Sequence, residues 1–449
     1  MSLKFGTDGV RGVANDELTP ELVLALGRAA ARVLGTSQPY LIGRDTRVSG
    51  PLLQSALMAG LASEGASVVD LGVIPTPGVA ALAAARGHLG AMISASHNPF
   101  PDNGVKFFAR GGVKLSDAVE ETLEGELASV LGDGHHPPRP TAGELGRITV
   151  DDGGSARAYE QQLLGTLEGR RLDGLRLVLD CAHGASAAIA PRLFDAAGAS
   201  VTVLYADPNG TNINDGCGST HPESLQAEVQ RVGADVGLAF DGDADRVLAV
   251  DAGGNLVDGD QILAVCALDR RERGLLPDDT LVVTVMANLG LRIAMERHGV
   301  TVVETAVGDR YVLEAMQASG WTLGGEQSGH IVFRDLATTG DGMLTGLQVA
   351  DVVARSGKPL AELASVMTRL PQVMINVRGV DCARLDGASR VWSAVDKESA
   401  ALGHSGRVLL RRSGTEPIVR VMVEAATQAD ASAAAERIAG VVEAELSLG

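Results

Sequence analysis

A chain of 449 residues with a net charge of -18 is too long for one ordinary core and too acidic to seek nucleic acid or an anionic membrane surface. It is 45% hydrophobic and only 3% aromatic, with 56 glycines, so aliphatic cores with close backbone contacts are expected. Cys181, Cys217, Cys266 and Cys382 are scattered without metal-site spacing or a disulfide framework, and they read as reduced thiols.

Met1 to Gly6 lacks an apolar signal core, and no apolar run is long enough to span a bilayer. The cytoplasm is therefore the expected location, with neither nucleic acid nor membrane as a partner. A small anionic substrate stays open, and it would require a basic pocket within an acidic body.

Thr19-Pro20 opens an amphipathic helix over 20–35. Strand 40–43, helix 51–64, strand 66–71, helix 77–86 and strand 89–93 follow. This alternation points to an α/β layer with a mostly parallel sheet. Residues 132–142, which include His135 and His136, read as a polar Gly/Pro loop near a boundary. A second α/β unit runs through strand 175–180, a helix near 185–197, strand 200–205, helix 222–233 and strands 236–240 and 247–250. A third has a helix from about 260, strand 280–285, helix 288–298, strand 301–304 and a helix around 359–368. The tail differs: strands 373–377, 407–412 and 418–424 precede helix 430–446, an α+β pattern. Domains are expected at 1–150, 151–255, 256–369 and 370–449.

Four stretches carry chemistry. Ile93-Ser94-Ala95-Ser96-His97-Asn98-Pro99 places a hydroxyl where a strand runs out into a loop, with Lys106 soon after. A lone loop serine usually caps or turns; the donors around Ser96 favour a functional role. Asp241-Gly242-Asp243-Ala244-Asp245-Arg246 sets three carboxylates at alternate positions between two apolar strands, which suits a hard cation such as Mg²⁺. A calcium EF-hand would need Gly and Glu where Arg246 and Ala252 stand, and a solvated acidic turn would leave three like charges crowded.

Gly324-Gly325-Glu326-Gln327-Ser328-Gly329-His330 lets backbone approach a ligand, and Glu326 is able to accept from a sugar diol. His330 either moves protons or satisfies a buried carbonyl. Arg411-Arg412-Ser413-Gly414-Thr415-Glu416-Pro417, with Arg420 beyond, has the forks and hydroxyls of a phosphate cradle. Two further loops look functional, Gly6 to Gly12 with Arg11 and Gly43 to Arg47; for the second, a structural Asp–Arg pair is an equal alternative.

With these motifs in this order, the chain resembles the α-D-phosphohexomutases over essentially its full length. That resemblance implies three similar α/β (mixed-sheet) domains and a C-terminal α+β domain around a central cleft. It implies a phosphorylated Ser96, primed by a kinase or a sugar bisphosphate. One Mg²⁺ per subunit would be held by Asp241, Asp243 and Asp245 with an oxygen on Ser96. Arg11, Lys106 and His330 become the catalytic group around the reacting oxygen, with His330 or Lys106 as general base. Arg246, Gly308, Asp309, Arg310, Glu326 and Ser328 would bind substrate, and Arg411, Ser413, Gly414, Thr415 and Arg420 the non-reacting phosphate.

Glu326-Gln327-Ser328 looks like the branch acting on glucosamine phosphates, which interconverts the 6- and 1-phosphates through a 1,6-bisphosphate. The glucose/mannose branch usually has Met at the middle position. Arg412, where Lys is common, is the one departure, and it keeps the charge. Glucose or mannose phosphates, or phosphosugar binding without turnover, are the rival functions; a homodimer is a possible assembly.

Overall fold

The computed structural model describes residues 9–132, 138–412 and 418–448. They fall into two compact units, Met1–Met286 with Val300–Ser365, and Ala287–Gly299 with Val366–Gly449. No helix among the described residues is long and apolar enough to cross a membrane.

The larger unit holds three sheets. In the first, strands Tyr40–Arg44, Val68–Val73, Leu89–Ile93 and Ile148–Val150 run parallel. Asp102–Phe108 pairs antiparallel with both Leu89–Ile93 and Val10–Val13, so the sheet is mostly parallel with one reversed strand and therefore mixed. The connection over 94–101 is too short for the crossover a parallel pair needs, and the chain must return as a hairpin. The helix Pro20–Leu34 begins where expected, with Leu22 N donating to the Thr19 hydroxyl at 3.2 Å. It lies against Gly50–Ser63 with backbones nearly touching: a Cβ on Gly60 would stand 2.1 Å from Leu24 O, and one on Gly27 2.5 Å from Leu57 O. Glycine there replaces the bulk an aromatic core would use.

In the second sheet, Val236–Phe240, Arg176–Asp180 and Ser200–Leu204 are parallel neighbours, and Val247–Asp251 folds back antiparallel on Val236–Phe240. The third has Thr301–Thr305, Thr280–Thr284 and Leu323–Gly325 parallel, with Ile331–Phe333 antiparallel at one end. The helix expected near 185–197 is only Ala190–Ala196, with turns over 185–189 and left-handed backbone at Ala182 and His183 before them. The last helix of the third unit is also short, Leu360–Ala364.

The smaller unit is an antiparallel sheet of Gln372–Arg378, Ile418–Glu424 and Arg407–Arg412. Helices Ser389–Leu402 and Gln428–Leu446 cover a core that includes Val391, Val421, Ile438 and Val442. Leu289–Arg297 joins this unit through the buried Glu424 carboxylate, which accepts from Leu289 N at 3.1 Å and Arg407 Nε at 3.0 Å.

Candidate active site

Strand Leu89–Ile93 is buried throughout and carries the chain into the serine loop. Ser96 is itself buried and has φ +53°, a left-handed backbone that L-residues adopt only when neighbours impose it. Its N–H donates to Ser94 Oγ at 2.9 Å, and Ser94 Oγ donates to Asp45 Oδ2 at 2.6 Å. Its carbonyl accepts from Arg47 Nη2 and Asn214 Nδ2, both at 2.9 Å. Lys106 rides on the returning strand directly across from Met92, which brings a buried ammonium back beside the loop.

The aspartate turn connects two strands buried along their whole length. All three carboxylates are buried, and one oxygen from each lies within 4.8 Å of the others. Ser96 Oγ donates to Asp241 Oδ2 at 2.5 Å, across 145 residues of sequence. Lys106 Nζ lies 3.0 Å from Asp243 Oδ2 and 3.6 Å from Asp245 Oδ2. Thr76, at the start of its helix, donates its hydroxyl to Asp243 Oδ2 at 2.5 Å and its N–H to Asp243 O at 3.0 Å. Gly242 makes this approach possible: a Cβ there would be 2.6 Å from Ser96 O.

Burial pushes the Asp241 carboxyl well above its ordinary range, and Asp245 and Asp243 add to the rise. Burial also opposes ionisation of Asp245, but Lys106, His330 and Arg246 outweigh it and hold that carboxyl low. Three buried acids compete for too little positive charge. Asp243 Oδ1 and Asp245 Oδ1 have no hydrogen-bond partner among the described residues. Crowded, oxygen-only and partly unsatisfied, these side chains fit a hard divalent cation.

His330 links the turn to the third sheet. Its Nδ1 is 3.8 Å from Asp245 Oδ2, and its Nε2 is 3.2 Å from Asp309 Oδ2. The same Asp309 oxygen lies 2.5 Å from Lys114 Nζ. Burial pulls the imidazole down, yet Asp309 and then Asp245 more than reverse it, raising it to about 10. His97 goes the other way: burial, Arg246 and Arg11 lower it to about 4, with its Nδ1 3.3 Å from Ser96 Oγ.

Glu326, Gln327 and Ser328 form the tip of a hairpin between Leu323–Gly325 and Ile331–Phe333, with Ser328 exposed. Arg246 Nε is 3.8 Å from Asp245 Oδ1, and its N–H donates to Asp241 Oδ1 at 3.2 Å. Arg11 sits opposite Gly104 on the strand that carries Lys106. Gly308 stands at the N-cap of helix Asp309–Ser319. Arg310 turns from this cluster to pair with Asp117 and with Glu120 Oε2 at 2.8 Å.

In the smaller unit, Arg411 and Arg420 stand directly opposite each other on adjacent strands. Burial and then Arg420 lower the Arg411 guanidinium. Like charges so placed destabilise a sheet unless an anion neutralises them. Ser413, Gly414 and Thr415, like Gly6 to Asp8 and the His135–His136 pair, lie outside the described residues.

Four domain signatures of the phosphoglucomutase/phosphomannomutase family match this chain in order. Alpha/beta/alpha domain I covers residues 2–131, domain II 157–254, domain III 258–370 and the C-terminal domain 374–441. The chain belongs to this family. Phosphoglucosamine mutases of Frankia alni and Streptomyces griseus are each 56% identical to it, covering 99% of this chain and 99% and 100% of theirs. A phosphoglucomutase/phosphomannomutase family protein of Burkholderia thailandensis superposes with a TM-score of 0.83 at 26% identity, covering 99% of this chain and 97% of its own. Aspergillus fumigatus N-acetylphosphoglucosamine mutase, crystallised with GlcNAc-6P and magnesium, has the same fold, with a TM-score of 0.67 at 20% identity over 100% and 96% of the two chains.

For this family member, sequence reasoning missed several residues that build the site. Thr76 on Asp243 leaves no local signal, since 167 residues separate them. Asp45 and Arg47 were visible as a loop with two readings. The ion pair between them is wholly buried, Arg47 Nε to Asp45 Oδ2 at 2.9 Å, and it supports the serine loop from beneath.

Proposed function

We propose that the chain interconverts glucosamine 6-phosphate and glucosamine 1-phosphate, with Ser96 as the phosphoryl carrier. Phosphoserine 96 transfers its phosphoryl group to the free hydroxyl of the sugar monophosphate, and that hydroxyl's proton passes to a base. The resulting 1,6-bisphosphate turns over, and Ser96 Oγ takes back the phosphoryl group from the other end. Net change is the position of one phosphate.

One observation carries this reading: the Ser96 hydroxyl rests on Asp241 while Lys106 rests on Asp243, so carrier, carboxylates and ammonium meet in one buried place. A phosphoserine brings about -1.5 to -2 charges into that group. Mg²⁺ held by Asp241, Asp243, Asp245 and a phosphoserine oxygen would supply the opposing charge. Phosphoryl transfer asks chiefly for alignment and charge neutralisation.

Lys106 and Arg11 neutralise the transferring group. His330 takes the proton of the attacking sugar hydroxyl in the first step and gives it to the departing sugar oxygen in the return step, with Asp309 and Asp245 stabilising the imidazolium formed in between. Asp309 then acts through His330, and Gly308 caps its helix. Glu326 and Ser328 take the sugar hydroxyls, with Arg246 near the phosphoryl oxygens. Arg310 is already held by two carboxylates, and both pairs would have to break before it reached a sugar. Arg411 and Arg420, with Ser413, Gly414 and Thr415, grip the non-reacting phosphate.

Gln327, between Glu326 and Ser328, and the names of the 56%-identical relatives favour glucosamine over glucose or mannose. A primed mutase assay on all three 6-phosphates tests the choice. Faster turnover of glucose or mannose phosphate would overturn the substrate, and no turnover of any would leave a binding protein.

A further inference from the structure

We infer that Arg47 and Asn214 are positioning residues that clamp the serine loop, fixing Ser96 in the backbone conformation that aims its hydroxyl at the aspartate turn. The inference rests on Ser96 being the phosphoryl carrier proposed above.

Arg47 is fully buried among backbone carbonyls. Its Nη1 donates to Pro99 O and, at 3.0 Å, to Asp102 O. Its Nη2 donates to Ser96 O at 2.9 Å and Asn98 O at 2.8 Å. Its Nε and backbone N–H go to the two oxygens of Asp45, at 2.9 and 3.0 Å. Asn214 comes from the second sheet's side, and its Nδ2 donates to two of the same carbonyls, Ser96 O at 2.9 Å and Asn98 O at 3.1 Å. Its own N–H is anchored on Ala182 O at 3.0 Å.

One ion pair therefore fixes both ends of the Ser96 backbone. Asp45 holds Ser94 Oγ, which receives the Ser96 N–H, and Arg47 holds the Ser96 carbonyl. The left-handed turn is sparsely populated in isolation and persists only while it is over-determined. The clamp also has an electrostatic effect. It gathers the negative ends of four carbonyl dipoles onto one guanidinium, away from the place where a phosphoryl dianion would sit on Ser96 Oγ. A planar fork does this better than an ammonium, whose donors radiate from a single nitrogen. Neither residue needs to touch sugar, so loosening the clamp should slow the chemical step and leave sugar affinity in place.

The test uses the full chain with Arg47→Lys and, because that buried change can impair folding, the near-isosteric Asn214→Asp. The second variant sets a carboxylate against two carbonyl oxygens in place of a donor. Thermal unfolding gives the folded fraction of each. All proteins are incubated with glucosamine 1,6-bisphosphate, Ser96 phosphate is counted by peptide mass spectrometry, and kcat and KM are then measured for glucosamine 6-phosphate. The expected result is normal phosphate loading of the unaltered chain, with kcat per folded variant molecule down on the order of 10²-fold. KM should stay within about threefold, as for loss of an interaction that matters only in the transition state. Unchanged kcat per folded molecule in Asn214→Asp, with normal loading of the unaltered chain, would overturn the clamp alone. No phosphate on Ser96 of the unaltered chain would overturn the carrier reading and the clamp with it.

Discussion

The two charged regions of this molecule are built on opposite plans. Around Ser96 the polar groups are mostly buried and held: Thr76, Lys106 and Arg47 each have assigned partners, and the carboxylates are crowded together. On the C-terminal sheet Arg411 and Arg420 face each other half-buried, with no ion pair to either among the described residues. The first plan ties its side chains to one another by short contacts, and an in-line transfer depends on such alignment. The second leaves two guanidiniums without a carboxylate among the described residues, which is what the phosphate grip proposed for them would need.

The largest effect should come from breaking the first region at its carrier. Ser96→Ala should abolish turnover, by at least about 10⁴-fold on the scale of lost nucleophiles. Bisphosphate should also leave no phosphate on that peptide; residual turnover near the normal rate would remove Ser96 from the chemistry. Asp243→Asn comes next. Losing one of three carboxylates should weaken Mg²⁺ binding by about 10- to 100-fold, as even the loss of an outer partner does. Calorimetric titration of the unphosphorylated chain reads this without reference to activity, and an unchanged isotherm would place the ion elsewhere.

The second region should respond in affinity. Arg420→Ala removes a charge-assisted donor pair, a loss of about 1.5–3 kcal/mol per hydrogen bond. KM for glucosamine 6-phosphate should rise by about tenfold or more, with kcat changed less. The smallest effect belongs to a control in the same unit. Thr427 caps helix Gln428–Leu446, its hydroxyl accepting from Asp430 N at 3.2 Å. Thr427→Ala should lower stability by about 1 kcal/mol and leave KM alone. A KM shift as large as that of Arg420→Ala would mean that phosphate affinity follows the stability of the unit, not the two guanidiniums.

What could be read in advance follows the same division. The serine loop and the aspartate turn are contiguous strings whose chemistry is visible residue by residue, and the strands bracketing them fall where apolar runs place them. Their supports are not visible. Arg47 lies 49 residues from Ser96, Asn214 118 and Thr76 167 from Asp243, and no local pattern announces such contacts. Helix Gly342–Ser356, buried along Gly342 to Val353, was not placed in advance. Asp309 and Arg310, expected among the substrate ligands, open a helix, where Asp309 Oδ2 lies 3.2 Å from His330 Nε2 and Arg310 pairs with Asp117 and Glu120.

The most direct measurement follows one labelled phosphate. The chain is labelled on Ser96, freed of excess donor and mixed with unlabelled glucosamine 6-phosphate for less than one turnover. The label should leave Ser96 as product forms and appear first in the 1,6-bisphosphate, then in glucosamine 1-phosphate. Product that accumulates while the label stays on the protein, or escapes as inorganic phosphate, would contradict a serine that carries the group.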